Sequence, residues 1–368
     1  MRLFRLSIAA LAVVSLMGCQ LGATPAPAEL TKVRHAFGNL RPIMYWPIYL
    51  AECLGYYEDE GLDVEFVIIS GSGAVHQQLI AGNVDITTSG DAAALNAVAS
   101  GNDIPEVYSY YYQNINALAA PEGSGVTKLE DMRGKVVGIS EPSGGEVPFV
   151  RGVFNSVGMV ENVDYTMLTV GEGGALTYES LKNGDAQAYS SSLFDVLSLG
   201  KFDMNLVSIV PDEFKFVPSI GGRSMRSYLD ANRDTMVGFY RAVAKATIFG
   251  EANRKADAGE FGGGPAAESC TKTAAPEFYD DPESAQVIWD ATGVLLTPPD
   301  GFDRTRLGEH NRPGFVNYID FVSQGTVEEG ALPGPVDLDK FLNSSLLDDI
   351  NKFDRAAVEA EAAAWKAP

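Results

Sequence analysis

Residues 62–82 read LDVEFVIISGSGAVHQQLIAG, and this stretch decides the fold. The apolar run Val64–Ile69 predicts a buried strand, and Gly73–Ala81 has the spacing of a helix. Gly82 follows that helix and can take the left-handed conformation that ends helices. A strand that leads through a short Ser- and Gly-rich turn into a helix is the unit of α/β folds with parallel sheets.

The same unit occurs again roughly one hundred residues later, which indicates a duplication. Residues 164–184, DYTMLTVGEGGALTYESLKNG, repeat the order of strand, Gly-rich turn and helix. Outside this stretch, Leu54-Gly55 corresponds to Val157-Gly158 at nearly the same spacing. Each unit has the grammar β-α-β-α-β, so the sequence predicts two α/β lobes, each built on a parallel sheet.

Two β-rich runs leave the two units, 107–112 and 205–210, and we interpret them as the crossings of a two-strand hinge. The spacing of 227–251 predicts one helix that packs back on the first lobe. The Gly-rich segment 256–275 predicts an irregular surface insertion. The predicted division is 32–110 plus 216–345 for lobe one, 113–208 for lobe two, and 346–368 for a C-terminal surface helix or tail.

The first residues have the pattern of an export signal. Residues 1–18 combine a basic start with an apolar stretch that is short for a membrane span. Leu16-Met17-Gly18-Cys19 resembles a bacterial lipobox, in which Cys19 carries the lipid and becomes the first mature residue. Ordinary cleavage after Ala28 is the alternative. We expect residues 19–31 to form a lipid-anchored tether.

The composition excludes several classes of protein. A formal net charge of -22 argues against a nucleic-acid partner, because binding a phosphate backbone requires basic surface. The three histidines are far apart in the sequence and no Cys-x-x-Cys pair exists, so we expect neither a metal site nor a cofactor. Cys53 and Cys270 could form a disulfide or remain as two buried thiols, and the sequence leaves both possibilities open.

Three segments resemble one known family. They are Pro47–Val64 with its Gly55-Tyr56-Tyr57 element, Gln78–Asp85, and Leu129–Gly138. Together they resemble the periplasmic binding proteins for alkanesulfonates, taurine, nitrate and thiamine-pyrimidine precursors. The sequence departs from that family at Gln187-Ala188 and in the insertion 256–275.

The resemblance implies a bilobed periplasmic-binding-protein fold of type II. It also implies the role of substrate-binding component of an ABC importer. The implied partners are a small-molecule ligand, a membrane permease and its ATPase. We expect a monomer that is exported to the periplasm or cell surface and held to the membrane by its lipid. A ligand-sensing lipoprotein without transport is the alternative. The family's enzyme branch carries a cysteine-rich iron site, which this sequence lacks, so we expect no catalytic residues.

Ligands of parallel α/β sheets bind at the carboxyl ends of the strands, so the loops that leave the strands are the candidate binding residues. The Ser-Gly loop before the first repeated helix can offer bare backbone N–H groups to a ligand, although it can also serve only as a turn. The candidate residues are Arg41, Tyr45, Trp46, Ser70, Gly71, Ser72, Ser89, Asp91, Tyr112, Ser143, Gly144, Glu146, Tyr189 and Ser190.

The nature of the ligand is predicted from the charges near these loops. Glu141, Glu146 and Glu172 all lie in loops of the second unit, and Arg41 is the main basic candidate. This balance favours a neutral or amine-bearing planar ligand, such as a pyrimidine-type vitamin precursor, over sulfonate or nitrate. Trp46 is expected to stack on such a ligand at the mouth of the cleft; the alternative is that it packs in the core.

Overall fold

The computed structural model describes residues 29–38, 42–142, 144–254, 262–323 and 331–367. Strands in this part of the chain form two sheets of five strands. In chain order they are β1 (Thr31–Phe37), β2 (Leu62–Ile68), β3 (Ile86–Gly90), β4 (Glu106–Ser109), β5 (Asn116–Pro121), β6 (Lys135–Ile139), β7 (Tyr165–Thr169), β8 (Ala188–Ser192), β9 (Leu206–Ser208) and β10 (Ile220–Arg223).

The two sheets have equivalent strand orders, β2-β1-β3-β10-β4 and β7-β6-β8-β5-β9. The strands β1, β2, β3 and β4 occupy the same places in the first sheet as β6, β7, β8 and β9 do in the second. The place of β10 in the first sheet is that of β5 in the second. His35 pairs with Ile86 in the first sheet and Val137 with Ala188 in the second, so the paired residues are 51 positions apart in both sheets and this pairing is repeated as well. The predicted bilobed, duplicated α/β fold is therefore confirmed.

The sheets are mixed, which corrects the expectation of purely parallel lobes. β10 is antiparallel to β3 and β4, and β5 is antiparallel to β8 and β9. Each of these two strands has just crossed from the other lobe and enters its new sheet from the opposite end. The parallel arrangement holds for β1–β3 and for β6–β8.

The crossings lie slightly later in the chain than predicted. Residues 107–109 belong to β4 and 206–208 to β9, so the segments that pass between the sheets are 110–115 and 209–219. The two segments are bonded to each other, because the Asn114 N–H donates to the Lys215 carbonyl at 3.0 Å. Ser219 Oγ also donates to the Gln113 carbonyl at 2.8 Å.

Helices cover both sheets. They are α1 (Trp46–Cys53), α2 (Tyr56–Asp59), α3 (Ser72–Ile80), α4 (Asp91–Ala99), α5 (Glu146–Asn155), α6 (Ala175–Asn183), α7 (Leu193–Leu197), α8 (Arg226–Ala231), α9 (Arg233–Asn253), α10 (Pro265–Ala274), α11 (Pro282–Leu296), α12 (Arg312–Val322), α13 (Leu338–Phe341), α14 (Leu347–Ile350) and α15 (Arg355–Ala364). Among the described residues, none of these helices combines the length and apolar character needed to cross a bilayer.

The core of the first lobe surrounds α9, whose buried face contacts α1, α14 and α15. The single helix predicted over 227–251 is instead two helices, because the backbone turns at Asn232 between α8 and α9. The C-terminal residues are more than a surface tail, since Leu347 and Ile350 have no exposed surface and Val358 of α15 is also buried.

A disulfide ties a later part of the chain to an earlier one. Cys53 of α1 forms a disulfide with Cys270 of α10, across 217 positions of sequence. This resolves the two possibilities left open by the sequence. It also means that part of the segment 256–275, predicted to be irregular, is a helix fixed to the first lobe; its residues 256–261 lie outside the described residues.

The helix α12 belongs by sequence to the segment predicted for lobe one, yet it packs on α5 of the second lobe. The Phe321 ring lies 6.3 Å from the Phe149 ring. It also occupies the space in which a Cβ at Gly152 would stand. Phe315 and Tyr318 join the same buried cluster. The last third of the chain therefore contacts both lobes.

Candidate functional site

A cavity of about 530 Å³ lies where the carboxyl ends of the two sheets meet. The first lobe contributes the residues that follow its strands, among them Gly38, Ser70–Ser72 and Gly90. The second lobe contributes Ser140 and Glu141 after β6, Glu172 after β7, and the end of β8. This is the position at which parallel α/β sheets bind ligands.

The wall formed by the first lobe depends on a glycine turn. Gly71 has a φ of 83°, which favours glycine, and its N–H donates to the Gly38 carbonyl at 3.0 Å. The next residue, Ser72, begins α3, and its hydroxyl accepts a hydrogen bond from the Gly90 N–H at 3.0 Å. The loops after β1, β2 and β3 are thereby held together, with the first turn of α3 at the cavity.

Tyr189 holds the equivalent loop of the second lobe in place by two hydrogen bonds. Its hydroxyl donates to the Gly171 carbonyl at 2.7 Å and accepts from the Gly173 N–H at 2.9 Å. Gly171 and Gly173 both have positive φ, at 86° and 67°. Thr177 adds a hydrogen bond from its hydroxyl to the Val170 carbonyl at 2.7 Å. Tyr189 has no exposed surface, so it fixes the wall without being part of it.

Four carboxylates line the cavity, and all belong to the second lobe: Glu141, Glu146, Glu172 and Asp195. Glu146 accepts hydrogen bonds from both the backbone N–H (2.9 Å) and the hydroxyl of Ser140. Burial raises the pKa of Glu146 above its ordinary value, although these hydrogen bonds partly oppose the shift. Asp195 accepts hydrogen bonds from the Ser191 and Ser192 hydroxyls, each at 2.6 Å.

Among the described residues of the lining, no Lys, Arg or His balances these four carboxylates. Negative groups in a partly enclosed site attract cations and repel anions more strongly than they would in water. Arg41, the basic candidate from the sequence, lies outside the described residues, as does Ser143. The described part of the lining therefore carries negative charge.

Aromatic rings complete the lining. Tyr45 packs with its ring 4.6 Å from that of Phe37. Phe278 and Tyr318 come from the last third of the chain, and Asn116 begins β5 directly after the first crossing. The sequence did not predict Phe278, Tyr318 or Asn116 as lining residues. Asn116 could have been found as a polar residue at the end of a crossing, whereas no local signal marks Phe278 or Tyr318.

The structure brings together part of the predicted set. Six of the candidate residues line the cavity: Tyr45, Ser70, Gly71, Ser72, Gly144 and Glu146. Six others are buried and do not line the cavity: Trp46, Ser89, Asp91, Tyr112, Tyr189 and Ser190. The reasons for their burial differ from one residue to the next.

Trp46 is the clearest correction. Its side chain has no exposed surface, and a Cβ placed at Gly250 of α9 would collide with its ring. The expected position at the cleft mouth is wrong because α1 begins at Trp46 and presents that residue to α9. The neighbouring Tyr45 precedes the helix and faces the cavity instead.

Tyr112 also lies away from the cavity. Its backbone N–H donates to the Leu295 carbonyl at 3.0 Å, and its ring lies 4.9 Å from that of Phe302. Tyr112 was expected on a hinge strand, but the chain at this point has left β4 and is not part of a sheet.

The remaining buried candidates make internal bonds. The Ser190 hydroxyl donates to the Ala117 carbonyl at 2.7 Å, which joins β8 to β5. The Ser89 carbonyl accepts from Arg223 Nη1 at 2.8 Å, and the Asp91 carboxylate forms an ion pair with the same guanidinium. The two contacts of Arg223 hold β10 against β3 and the start of α4.

Comparisons with known proteins identify a family and a relative of this chain. The NMT1/THI5-like family matches residues 44–254, more than half of the chain. The chain belongs to the NMT1/THI5-like family. The Bacillus subtilis protein YtlA, named as a binding protein, is 26% identical over 263 residues, which cover 67% of this chain and 73% of YtlA.

Solved structures share the fold of this NMT1/THI5-like chain. A protein from Bordetella bronchiseptica superposes with a TM-score of 0.67 at 20% identity, covering 88% of this chain and 98% of that one. The alkanesulfonate-binding protein SsuA from Xanthomonas axonopodis pv. citri, bound to MOPS, has a TM-score of 0.58 at 14% identity, with the same two coverages. The chain thus has the architecture of periplasmic solute-binding proteins.

An enzyme is also similar to part of this NMT1/THI5-like chain. The 4-amino-5-hydroxymethyl-2-methylpyrimidine phosphate synthase of Candida albicans is 30% identical over 93 residues, which cover 25% of this chain and 27% of the synthase. Within the described residues, no group of three or more His, Cys, Asp or Glu side chains is placed to hold a metal ion.

Proposed function

We propose that this protein is the substrate-binding component of an ABC importer. In this role it captures a small organic ligand between its lobes and delivers it to a membrane permease, without catalysis. The proposal is supported by one observation above all: both lobes contribute the ends of their strands to a single cavity of about 530 Å³. That volume suits a small organic molecule.

The ligand we propose is planar and bears an amino group, as a pyrimidine-type vitamin precursor does. Phe278, which is half-buried, supplies aromatic surface for a flat ring, and the buried Tyr45 and Tyr318 lie in the cavity wall. The carboxylates of Glu146 and Asp195 supply hydrogen-bond acceptors and negative charge. A sulfonate or nitrate would face the same carboxylates, and desolvating an anion beside them is costly.

Ligand capture is expected to close the two lobes on each other. Lining residues come from both lobes, and in the part of the chain that the structure describes the segments 110–115 and 209–219 lead directly from a strand of one sheet to a strand of the other. A ligand that touches both walls binds the closed form more tightly and shifts the population toward it. Small-angle scattering should therefore show a smaller radius of gyration with ligand bound.

A thermal-shift and calorimetric screen tests the ligand class. The probes are 4-amino-5-hydroxymethyl-2-methylpyrimidine, taurine and nitrate, at pH 7. A ligand at one hundred times its Kd adds about 2.7 kcal/mol to the free energy of unfolding, which is readily detected. We expect stabilisation by the pyrimidine and weaker binding in Glu146→Gln. The control variant is Glu122→Gln, at an exposed residue outside the cavity lining.

The contrary result is equally distinct. If taurine or nitrate stabilises the protein and the pyrimidine does not, the amine-bearing ligand is excluded and the anion-binding alternative takes its place. Arg41→Ala would then be the variant to examine, because Arg41 is the basic residue that the sequence places after β1.

We also propose that the protein is exported and anchored through a lipid on Cys19. The support is the sequence Leu16-Met17-Gly18-Cys19 after a short apolar stretch; these residues lie outside the described part of the chain. Mass spectrometry of the mature amino terminus tests this. A free amino group on Glu29 would show ordinary cleavage after Ala28 instead of lipidation.

A further inference from the structure

A second cavity of about 280 Å³ lies beside the first. One side is formed by the second lobe, through α7 and the short segment that follows it up to Lys201. The other side is formed by α11, where Val287 and Ile288 line the space. Like the main cavity, this side cavity therefore exists only between the two halves of the molecule.

Three residues line both cavities: Glu172, Asp195 and Phe278. Residues that belong to two neighbouring cavities mark the place where one opens toward the other. At this junction the chain places two carboxylates and one aromatic ring. A cation at the junction would be attracted by both carboxylates and could contact the face of Phe278.

Beyond the junction the lining of the side cavity is mixed, because Asp281, Glu283 and Ser284 stand beside a set of apolar side chains. Phe194, Leu197, Val287 and Ile288 are among its lining residues. Among the described residues of this lining the basic one is Lys201, whose ammonium lies over the ring of Phe202 at 5.1 Å from the centroid. This space suits a short hydrocarbon arm, since apolar surface removed from water is stabilising.

We propose that the two cavities form one bipartite site for an N-substituted organic amine. The planar ring lies in the main cavity, the ammonium lies at the junction near Asp195 and Glu172, and an apolar arm on the same nitrogen enters the side cavity. This inference rests on the proposed binding of a planar amine in the main cavity and specifies where the rest of that ligand lies.

Calorimetric titration with three probes tests the assignment. Benzylamine carries the ring and the ammonium alone. N-butylbenzylamine adds an arm on the nitrogen, and 4-butylbenzylamine adds the same arm on the far side of the ring. Each buried methylene tightens binding by roughly fourfold. We therefore expect N-butylbenzylamine to bind at least about tenfold more tightly than benzylamine, and 4-butylbenzylamine to show a much smaller gain.

Filling the side cavity should remove that gain. Val287→Trp places a large ring in the space, and Val287→Phe is a milder filling variant if the first folds poorly. In both variants the ratio of the two affinities should fall to less than about threefold. The matched control is Val294→Trp, on the same helix at a residue that is 49% exposed and outside both cavity linings; it should retain the full ratio.

The outcomes separate this inference from the proposed function. If benzylamine binds and N-butylbenzylamine binds no better, or if both filling variants keep the full gain, the bipartite site is overturned and the main cavity is unaffected. If none of the three amines binds, the bipartite site is overturned, whereas the ligand proposed for the main cavity is tested separately by the screen with the pyrimidine.

Discussion

Arg223 Nη2 lies 2.6 Å from Glu106 Oε2, and neither side chain has any exposed surface. The pair joins β10, which returns to the first lobe, to β4, which leaves it. Asp91, at the start of α4 beside the cavity, forms an ion pair with the same guanidinium. Burial disfavours both charges, lowering the pKa of Arg223 and raising the pKa of Glu106, and the contact between the two groups compensates for that cost. The hinge strands are therefore fixed by a buried cation shared between two carboxylates.

Replacing Arg223 by Met should cost about 3–5 kcal/mol of unfolding free energy, because it leaves two buried carboxylates without their cation. Removing a carboxylate as well, in Arg223→Met with Glu106→Leu, should recover part of that loss. The control is Arg233→Met, whose ion pair with Asp349 is nearly half exposed and should contribute less than about 1 kcal/mol. Urea denaturation measures all three. Equal losses in the two single variants would contradict the structural role of the buried pair.

Trp46→Ala should destabilise the protein by about 3–5 kcal/mol, because it leaves a large cavity between α1 and α9. Affinity for the ligand, measured well below the melting temperature, should change little. Trp365, which is half-buried at the end of α15, serves as the matched control, and Trp365→Ala should cost less. A loss of affinity with an unchanged melting temperature would instead restore the binding role that the sequence predicts for Trp46.

Binding of an amine should weaken as the pH falls from 7 to 5. Burial raises the pKa of Glu146, so its carboxylate begins to be protonated at a higher pH than an exposed glutamate. Its attraction for a cation is present above that pKa and is lost below it. We expect the affinity for benzylamine to fall by about tenfold. Benzyl alcohol, the neutral control probe, should show a much smaller change, and Glu146→Gln should flatten the profile.

Acid should destabilise the fold partly through His35. Burial lowers its pKa to about 3, so below pH 6.5 the unfolded chain takes up a proton that the folded protein does not. The stability contributed by the neutral ring is complete above pH 6.5 and is lost as the pH falls toward 3. His35→Gln should reduce the slope of unfolding free energy against pH by about 1.4 kcal/mol per unit in this range. Thr88→Val, which removes only the hydrogen-bond partner of His35, should keep the slope.

Reduction of the Cys53–Cys270 disulfide should lower stability by about 2–5 kcal/mol, since the crosslink closes a long loop of the unfolded chain. The double variant Cys53→Ser with Cys270→Ser should melt at the temperature of the reduced protein, and adding reductant should not change it further. If the oxidised and reduced proteins melt at the same temperature, the disulfide contributes nothing to the fold.

The sequence predicts well those elements that depend on local signals. The strand expected over Val64–Ile69 is Leu62–Ile68, and the helix expected over Gly73–Ala81 is Ser72–Ile80, followed by Gly82 with a φ of 73°. Apolar spacing and a left-handed glycine are properties of neighbouring residues, so a single sequence is sufficient to recognise them. The duplicated loops led in the same way to Ser70–Ser72 at the cavity wall.

What the sequence could not predict depends on contacts between distant segments. Nothing near Tyr318 indicates that α12 packs on the second lobe. Similarly, nothing near Phe278 indicates that a disulfide in the preceding helix fixes this part of the chain to α1. Trp46 was misplaced for the same reason. The sequence correctly predicts that Trp46 follows β1. The side of α1 that faces the core is determined by α9, which lies far along the chain.

Because β10 lies between β3 and β4 but comes much later in the chain, the first sheet can be completed only late in synthesis. The ribosome finishes β3 and β4 about one hundred residues before it makes β10, the strand that lies between them. At 5–20 residues per second this interval lasts roughly 5–20 s. During that time the edge of β3 has no partner on one side, and an open edge can pair with another chain. A nascent chain that stalls between β5 and β10 is consequently the form most exposed to aggregation, and the one that a holding chaperone would have to protect.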